Sequence, residues 1–277
     1  MKQEGVSEKI GRFEDFFNHK YKHKILDNHS KGKKRVTIDF KDLAEYDPDL
    51  GEELLDRPED TFKIAEAAIS NIIEGKLTVR VRGLPPSSNV RIRDLRAELL
   101  DKFVAVEGEI VTKSDVATKI VMASWECTGC ANIVSLPQFD ETLNTPLKCG
   151  CGNPHFKMKS RKLMNCFTLR IEELSRKTEH DMTLKWVPVL CEDDLTDIIV
   201  EERLVEGMSV RINGVYKDKL VVKNGKKQTT LLTYLNANYI EHTDKTFSEL
   251  EISGEDEKQI GVPGALDHVF VVFQVRI

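Results

Sequence analysis

Four of the six cysteines lie within 25 positions of one another, and this cluster constrains the chain more than any other feature of the sequence. Cys127 and Cys130 form a CxxC pair, and eighteen residues later Cys149 and Cys151 form a CxC pair. A tetrahedral zinc ion takes four such ligands, and each pair supplies two thiolates from one tight turn. Four protein ligands leave the ion no position for a reactive water, so the pattern predicts a structural zinc ribbon.

The identity of the fourth ligand stays open at this stage. The second pair is CxC rather than CxxC, and the alternative to four cysteines is His155 in place of one of them. A further alternative is four reduced thiols that bind no metal. We favour ligation by four cysteines, with Gly129 allowing the first turn to bend. The other two cysteines, Cys166 and Cys191, lie within strand patterns and are expected to be small buried apolar residues.

Composition restricts the function classes that remain. The chain has 277 residues and a net charge of −5, and this length predicts about two domains. The acidic balance excludes a uniformly basic coat for nucleic acid, so any such site has to be a local patch. The charged N-terminus has no secretory signal pattern, and no apolar run reaches the ~18 residues of a membrane span. We therefore expect a cytoplasmic protein without a membrane partner.

The N-terminal part of the chain has a helical pattern. Residues 47–75 are predicted as helix, with Pro58 suited to a first turn, Glu59 and Asp60 to the positive helix end, and Gly75 to a stop. An apolar stripe at helical spacing is expected to face the core. A short strand is predicted over 76–81. The apolar stripe consists of Phe62, Ala65, Ala68, Ile69, Ile72 and Ile73.

After the Pro/Ser-rich segment 83–89 the pattern changes from helical to alternating. Val, Ile, Thr and Leu dominate the new segments, which favours strands. Gly108 and Gly214 lie inside two of these strands and predict bulges or sharp bends. About five bent strands with a cysteine-rich insertion are typical of an OB-fold barrel. The strands are predicted at 103–111, 117–125, 165–173, 184–190, 209–217, 218–223 and 229–240, with a helix or turn over 192–204 closing the barrel.

The predicted fold class is therefore α+β with several subdomains. A helical bundle is assigned to residues 1–92. An OB-fold β-barrel takes residues 93–124 and 157–250, and a zinc-binding insertion takes residues 125–156. Residues 251–277 follow the barrel.

Basic residues form three local clusters. The first lies on a predicted hairpin with the tip Asn224-Gly225, which is the strongest short hairpin signal. Alternating lysines there suit contact with a DNA backbone, although a solvated edge protected against aggregation is the plain alternative. Because only 7% of residues are aromatic, binding is expected to be directed mostly at phosphates. The hairpin cluster is Lys217, Lys219, Lys223, Lys226 and Lys227; the second, within 157–170, includes Arg161 and Arg170; the third is Arg176 and Lys177.

No constellation of catalytic residues stands out. The sequence has no GxxxxGK[ST] phosphate loop, no HExxH, no GxSxG and no GxGxxG after a strand. The acidic cluster Glu192-Asp193-Asp194 has no partner lysine motif and is predicted to be a solvated helix start. The fragment itself is therefore expected to catalyse no covalent step.

Six segments in the same order resemble the N-terminal region of archaeal-type minichromosome maintenance (MCM) proteins, a family of replicative DNA helicases. They are YDPDLGEELLDRPED, VRIRDLRAELLDKFVAVEGEIV, CTGC with CGCG, LRIEE, VEGMSVRINGVYK and YLNANYIE. The resemblance spans about residues 5–260. It implies hexameric rings, single or stacked head to head, that encircle single- or double-stranded DNA. It also implies a C-terminal ATPase motor, outside this chain, which would bind ATP and Mg²⁺, with residues 251–277 as the linker toward that motor.

The same resemblance implies roles for particular segments. A hairpin over about 215–231 would point into the ring channel, and a loop over 175–185 would couple the ring to the motor. Residues 261–277 do not resemble the family and are expected to derive from cloning. The implied loop residues are Arg176, Lys177, His180, Asp181 and Lys185, and further implied DNA contacts are Lys113, Lys119, Arg161 and Arg170.

The basic clusters and the resemblance together imply a DNA-binding, ring-forming module of a replicative helicase that encircles DNA for replication initiation and unwinding. Structural Zn²⁺ is the cofactor expected in this fragment. The alternative is a monomeric OB-fold protein that binds single-stranded DNA and carries a structural zinc ribbon. The mass of the particle in solution separates the two.

Overall fold

The structure is a computed structural model that describes residues 5–138, 143–174, 183–197, 204–223 and 226–243. A π-helical turn, Phe17–Tyr21, joins the first two helices. The helices are α1 Val6–Phe16, α2 Lys22–Ser30, α3 Phe40–Tyr46, α4 Pro48–Asp56 and α5 Pro58–Ile72. The strands are β1 Arg35–Asp39, β2 Thr78–Arg82, β3 Phe103–Lys113, β4 Ala117–Cys127, β5 Ile133–Pro137, β6 Phe156–Glu172, β7 Trp186–Glu192, β8 Ser209–Lys223 and β9 Lys226–His242.

The helical prediction for 47–75 is correct in type but wrong in continuity. The segment forms two helices, α4 and α5, which break at Arg57. Pro58 lacks a backbone N–H and disfavours a helical conformation in the residue before it, so Arg57 leaves the helix with φ −133°. As predicted, Pro58 opens α5, with Glu59 and Asp60 in its first turn.

The N-terminal helices share one core with part of the barrel. Phe16, Phe17 and Ile25 are fully buried. The ring of Phe62 from α5 meets that of Phe103 from β3 edge-on, with centroids 5.4 Å apart. The predicted stripe of α5 faces this core, which also includes a parallel two-stranded sheet of β1 and β2. The strand β1 was not predicted, because five residues between helices give too short a pattern.

The five strands β3, β8, β9, β7 and β6 form a closed barrel. They pair in that order, and a further pairing of β3 with β6 closes the ring. The neighbours are antiparallel except β7 and β9, which are parallel. Inward side chains from all five strands form a second core. The predicted barrel of bent strands is confirmed, and the two strands predicted at 209–217 and 218–223 are one continuous strand, β8.

The two strand glycines share one role, and only Gly214 also lies at a register shift. Gly214 lies at a register shift between β8 and β9, which confirms the predicted bulge. A Cβ there would lie 2.6 Å from the carbonyl oxygen of Asn236. At Gly108 a Cβ would lie 2.6 Å from the carbonyl oxygen of Glu172. Both glycines therefore permit the close backbone approach that a small barrel needs.

A second sheet grows from the barrel through the length of β6. The first half of β6 pairs with β4 as far as Cys127↔Phe156, and β4 pairs on its other edge with β5. The second half of β6 belongs to the barrel. We call the β4–β5 and early β6 region the zinc sheet, because the four clustered cysteines lie at its end. The strand β5 was not predicted from the sequence.

Two asparagines of the barrel bind the backbone of β2. Asn238 of β9 donates from Nδ2 to the carbonyl of Val79 at 3.0 Å and accepts from the N–H of Val81 at 2.8 Å. Asn213 of β8 donates from Nδ2 to the carbonyl of Val81 at 3.0 Å. The side-chain amides thus satisfy backbone groups of β2 much as a further strand would.

A buried ion pair reinforces this junction. Arg80 of β2 donates from Nε to Asp194 at 3.2 Å and pairs with it again through Nη2. Its Nη1 donates to the carbonyl of Asn238 at 3.1 Å. Asp194 is only 1% exposed, so the prediction of a solvated acidic cluster at 192–194 is wrong for this residue. The cause is tertiary, because the partner lies 114 positions away.

Several predicted features fall outside the described residues. The segment 198–203 of the predicted closing helix, the loop residues 175–182 and the tail 244–277 all do so. Among the described residues, Cys191 is fully buried as expected, whereas Cys166 is only half-buried. No helix in the described ranges has both the length and the apolar character needed to cross a membrane.

Candidate metal centre and nucleic-acid interface

The four clustered cysteines converge on one point. All four Sγ atoms lie within 4.8 Å of one another. Cys127 and Cys151 are 3.6 Å apart, and Cys130 and Cys149 are 3.5 Å apart. A tetrahedron with Zn–S bonds of about 2.3 Å has sulfur–sulfur edges of about 3.8 Å. The donor set and its spacing therefore fit a structural zinc ion held by Cys127, Cys130, Cys149 and Cys151.

Two tight turns present these sulfurs. Ala131 at φ 56° donates its N–H to the carbonyl of Cys127 at 2.9 Å. Gly152 at φ 90° donates to the carbonyl of Cys149 at 2.8 Å. A left-handed residue thus closes each turn, and the first turn takes this conformation at Ala131 rather than at the predicted Gly129.

Gly129 is needed for a different reason. A Cβ on Gly129 would lie 2.9 Å from Nδ2 of Asn153. Asn153 donates from that nitrogen to Thr128 Oγ1 at 2.9 Å. Thr128 in turn donates through its N–H and its hydroxyl to the carbonyl of His155, at 3.2 Å each. The absent side chain lets the two turns pack together, and these hydrogen bonds join the knuckles beside the sulfur cluster.

The thiols also have the electrostatics of a cation site. The backbone N–H of Gly129 donates to Sγ of Cys127 and, with its thiol neighbours, lowers the pKa of Cys127 to about 6. The N–H of Asn132 lowers the pKa of Cys130, but the thiols of Cys151 and Cys149 outweigh it and raise that pKa to about 12. Ionisation of one thiol therefore disfavours ionisation of the next, because two negative charges at this distance repel. A bound divalent cation would offset this repulsion.

His155 takes a structural position instead of joining the sulfur cluster. Its carbonyl accepts from Thr128, and its N–H donates to Oδ1 of Asn153 at 3.0 Å. The residue is exposed, and the group of converging ligand atoms consists of the four cysteines. The geometry thus favours the four-cysteine alternative.

The predicted basic hairpin is present as β8 and β9. Their pairing continues to Lys223↔Lys226, and the tip residues 224–225 lie outside the described part of the chain. Pairing of β8 with β3 ends at Val215↔Phe103. The hairpin beyond this point extends about 26 Å at the usual strand rise per residue. The side chains of Lys223, Lys226 and Lys227 are not described.

The lysines at the base of the hairpin have partners in the fold. Lys217 is ion-paired with Glu59 of α5, which links the hairpin to the helical part. Burial raises the pKa of Tyr234 above its ordinary value. The positive charges of Lys217, Lys119 and Lys219 lie near enough to offset part of this rise. Three of the predicted DNA-binding lysines are therefore grouped around one tyrosine on the outer side of the barrel.

Lys119 of that group also pairs with an acid, and the remaining predicted basic residues are dispersed. Lys119 is paired with Glu192, and Lys113 donates from Nζ to the carbonyl of Leu204 at 3.0 Å. Arg161 is exposed on the zinc sheet. Arg170 donates to Glu172 at 2.8 Å and lies over the ring of Trp186.

The predicted coupling loop is described only at its base. Arg176, Lys177, His180 and Asp181 fall outside the described residues. The N–H of Glu173 donates to the carbonyl of Lys185 at 3.0 Å. The buried carboxylate of Glu173 accepts from the backbone and the guanidinium of Arg93, which together with the N–H of Lys185 lower its pKa. The base of the loop is thereby fixed to the segment before β3.

Two family models match consecutive parts of the chain. The model of the MCM N-terminal domain matches residues 10–103, and that of the MCM OB domain matches residues 91–219. The chain belongs to the MCM family. The matched N-terminal range contains α2 to α5 with β1 and β2, and the matched OB range runs from the segment before β3 through the zinc sheet into β8.

Curated MCM proteins from archaea and animals are similar along most of this chain. A minichromosome maintenance protein MCM of Saccharolobus solfataricus is 25% identical over 249 residues, which are 82% of this chain and 35% of that protein. The DNA replication licensing factor mcm5-B of Xenopus laevis is 22% identical over 245 residues, 80% of this chain and 32% of that protein. The chain spans about a third of the length of these relatives.

A solved structure supports the MCM fold. The N-terminal domain of an archaeal MCM matches with a TM-score of 0.69 and 20% sequence identity. The match covers 86% of this chain and 99% of that one. The sequence predicted a helical part followed by a barrel that carries a cysteine-rich insertion. This arrangement is the fold of an MCM N-terminal domain.

Sequence reasoning missed two residues of this MCM barrel. Glu173 lies in the quoted segment LRIEE, where nothing local distinguishes it from Glu172. Trp186 lies in the predicted strand 184–190, and its exposure depends on which face of the strand turns outward. The alternation of Val187, Val189 and Cys191 as the buried set was the available signal.

Proposed function

We propose that this chain is the DNA-binding and ring-forming module of a replicative helicase, which encircles DNA for replication initiation and unwinding. The observation that carries the proposal is a long hairpin with five lysine positions rising from the barrel of an MCM OB domain. An acidic chain binds a polyanion poorly, so positive charge has to be concentrated locally. A ring of six copies would bring six such hairpins to one channel, where weak contacts add through multivalency.

The finer assignments extend the same proposal. The subunits form homo-hexamers or double hexamers around single- or double-stranded DNA inside the cell. The zinc sheet holds structural Zn²⁺ through its four cysteines. ATP and Mg²⁺ serve an ATPase motor in the part of the helicase that lies outside this chain.

Salt-dependent DNA binding tests the hairpin. We expect the double variant Lys226→Ala/Lys227→Ala to weaken binding to single-stranded DNA for every base sequence. Because each lost phosphate contact lowers the slope of log K against log salt by about 0.7, the slope should fall by about 1.4 per bound protomer. Fluorescence anisotropy over a salt series measures both quantities.

The matched control removes two exposed lysines from the helical part, Lys41→Ala/Lys63→Ala. This variant should keep the affinity and slope of the unmodified chain. If the hairpin variant also keeps them, the hairpin does not contact DNA. Light scattering tests ring formation, because a monomer at all concentrations would favour a simple OB-fold single-strand binder.

A further inference from the structure

The stem of the β8–β9 hairpin carries exposed leucines. We call the paired segments 217–220 and 231–234 the hairpin stem; they lie beyond the last pairing of β8 with β3, at Val215. Leu232 is 61% exposed, Leu220 49% and Leu231 40%. Exposed apolar side chains on a projecting hairpin are unfavourable in water and favour association with another surface.

The register of the stem divides its side chains between two faces. Directly opposite residues of an antiparallel pair share a face, and successive residues along a strand alternate between faces. We call the two faces the lysine face and the aspartate face. The lysine face carries Lys217, Lys219, Leu232 and Tyr234; the aspartate face carries Asp218, Leu220, Leu231 and Thr233. Each face therefore combines a charged side chain with exposed leucine.

Both faces are covered by this chain only at the base of the stem. The aspartate face continues the inner side of the barrel, where Tyr216 and its opposite residue Leu235 are buried in the core. On the lysine face, Lys217 is ion-paired with Glu59 of α5. Further along the stem, Leu231 and Leu232 are exposed. The fold thus leaves apolar surface open on both sides of one projecting element.

The two faces are complementary in charge. Asp218 is exposed beside the leucine pair of one face, and Lys219 lies opposite Leu232 on the other. Asp218 and Lys219 are adjacent in a strand, so their side chains point to opposite faces. Bringing the two faces together therefore takes two copies of the chain. The aspartate face of one copy matches the lysine face of another in both charge and apolar surface.

We propose that the aspartate face of one hairpin stem packs against the lysine face of the stem in the next copy of the chain. Leucines of the two faces then cover each other, and Asp218 of one copy lies beside Lys219 of the next. Because the two surfaces differ, the contact is head-to-tail, which is the kind that closes into a ring. The inference rests on the proposed ring-forming function and names residues that join neighbouring copies.

The small size of the contact determines what it does. A stable interface between two proteins buries about 1,600 Å² in total, and a stem of two four-residue segments supplies only a fraction of that. One such contact therefore does not hold a pair of copies together. In a closed ring every copy makes the contact twice, once with each face, so that its loss lowers the stability of the whole assembly.

Assembly of the full chain in the absence of DNA is the first measurement. Leu232→Ser should raise the protein concentration at half-assembly about 10-fold or more, because burial of one leucine is worth at least that factor. Leu26→Ser removes a leucine that is 44% exposed on α2 and should leave this concentration unchanged. Sedimentation velocity over a concentration series measures it. An unchanged midpoint for Leu232→Ser would overturn the proposal.

Charge reversal tests the pairing between copies directly. Asp218→Lys makes both faces of the stem positive, and Lys219→Asp makes both negative. Each variant alone should assemble less than the unmodified chain at low salt, because like charges then meet at every contact. An equimolar mixture should recover assembly, since alternating copies place opposite charges at every contact. A mixture that assembles no better than the two variants separately would overturn the proposal.

The outcomes separate this inference from the function on which it rests. If the unmodified chain is a monomer at every concentration, the proposed ring fails and this contact fails with it. If the unmodified chain and the stem variants assemble equally, only the contact fails. Stem variants that keep the assembly and lose affinity for oligo(dT) would assign the leucines to DNA and overturn the proposal. The urea transition of the barrel, retained in every variant, confirms that the exposed substitutions leave the fold intact.

Discussion

The barrel and the zinc sheet share the strand β6 but are stabilised in different ways. In the barrel half, β6 contributes Phe167, Leu169 and Ile171 to a core supplied by all five strands. In the zinc sheet, the buried apolar side chains described on β4 are few, chiefly Ala123 and Trp125. Burial of apolar surface stabilises the first region, whereas we expect the second to depend on a metal held by the four sulfurs. One strand can thus belong to two units with separate sources of stability.

Metal removal should have the largest effect and should be confined to the zinc sheet. Chelation, or Cys130→Ser, removes a structural zinc whose binding is worth on the order of 10 kcal/mol in small zinc domains. We expect one zinc per chain to be lost and Trp125 to become exposed. Metal analysis and the emission maximum of Trp125 in a Trp186→Phe background measure the two effects.

The barrel should survive this treatment. Its cooperative urea transition is expected to persist after chelation, because its core contains none of the four ligands. His155→Ala is the matched variant and should retain the metal. Collapse of the whole chain on chelation would mean that the two regions are not separately stabilised.

The next largest effect is expected at the junction between the barrel and β2. Arg80→Ala removes the close partner of the buried Asp194 carboxylate and leaves it only Arg35, whose Nη1 lies 3.9 Å away, so the free energy of unfolding should fall by about 3 kcal/mol. Arg82, two positions along the same strand, forms an exposed pair with Asp39. Arg82→Ala should cost at most about 1 kcal/mol.

Urea unfolding with zinc content as a second readout checks this pair of variants. Both variants should retain the metal, because Arg80 and Arg82 lie on β2, which belongs to a different sheet from the strands of the zinc sheet. Equal losses of stability for Arg80→Ala and Arg82→Ala would contradict the buried role of Asp194.

The smallest expected effect is a loss of folding stability at acidic pH that depends on Glu173. Its hydrogen bonds with Arg93 hold its pKa below the ordinary value. A carboxyl whose pKa is depressed by folding stabilises the fold above its unfolded pKa, and this stability is lost as pH falls through the folded value. The loss therefore belongs to the region below about pH 4.

Glu173→Gln should flatten the pH dependence of unfolding in that range and lower stability at neutral pH. Glu172→Gln, at the neighbouring and less buried position, is the control and should preserve most of the neutral-pH stability. Measurements on metal-free protein keep zinc release out of the comparison. If the pH dependence of unfolding at acidic pH is unchanged in Glu173→Gln, the Arg93 contact contributes little to stability.

Local sequence patterns were sufficient to predict the features that depend on residues close together in the sequence. Pro58 and the acidic first turn placed the start of α5, and alternating Val and Ile placed the barrel strands. The CxxC and CxC pairs selected the four sulfurs that converge in space. Each of these features depends on positions a few residues apart, or on a metal that demands fixed ligand types.

Other features depend on contacts between distant segments. The local sequence around Asp194, Lys217 and Trp186 contains none of the residues that surround their side chains in the fold. Their surroundings come from Arg80, Glu59 and Arg170, on other elements. Pairing β6 with β7 and docking β2 against β9 decide these environments, and no short window of sequence contains both partners.

The sequence by itself determined the helical and barrel composition of this MCM region and the four cysteines whose sulfurs converge at the end of the zinc sheet. Only the tertiary structure decided which charges are buried, which lysines are already paired and which aromatic ring faces solvent. The physical reason is that periodicity and ligand chemistry are local, whereas burial and charge pairing depend on how the closed barrel brings distant strands together.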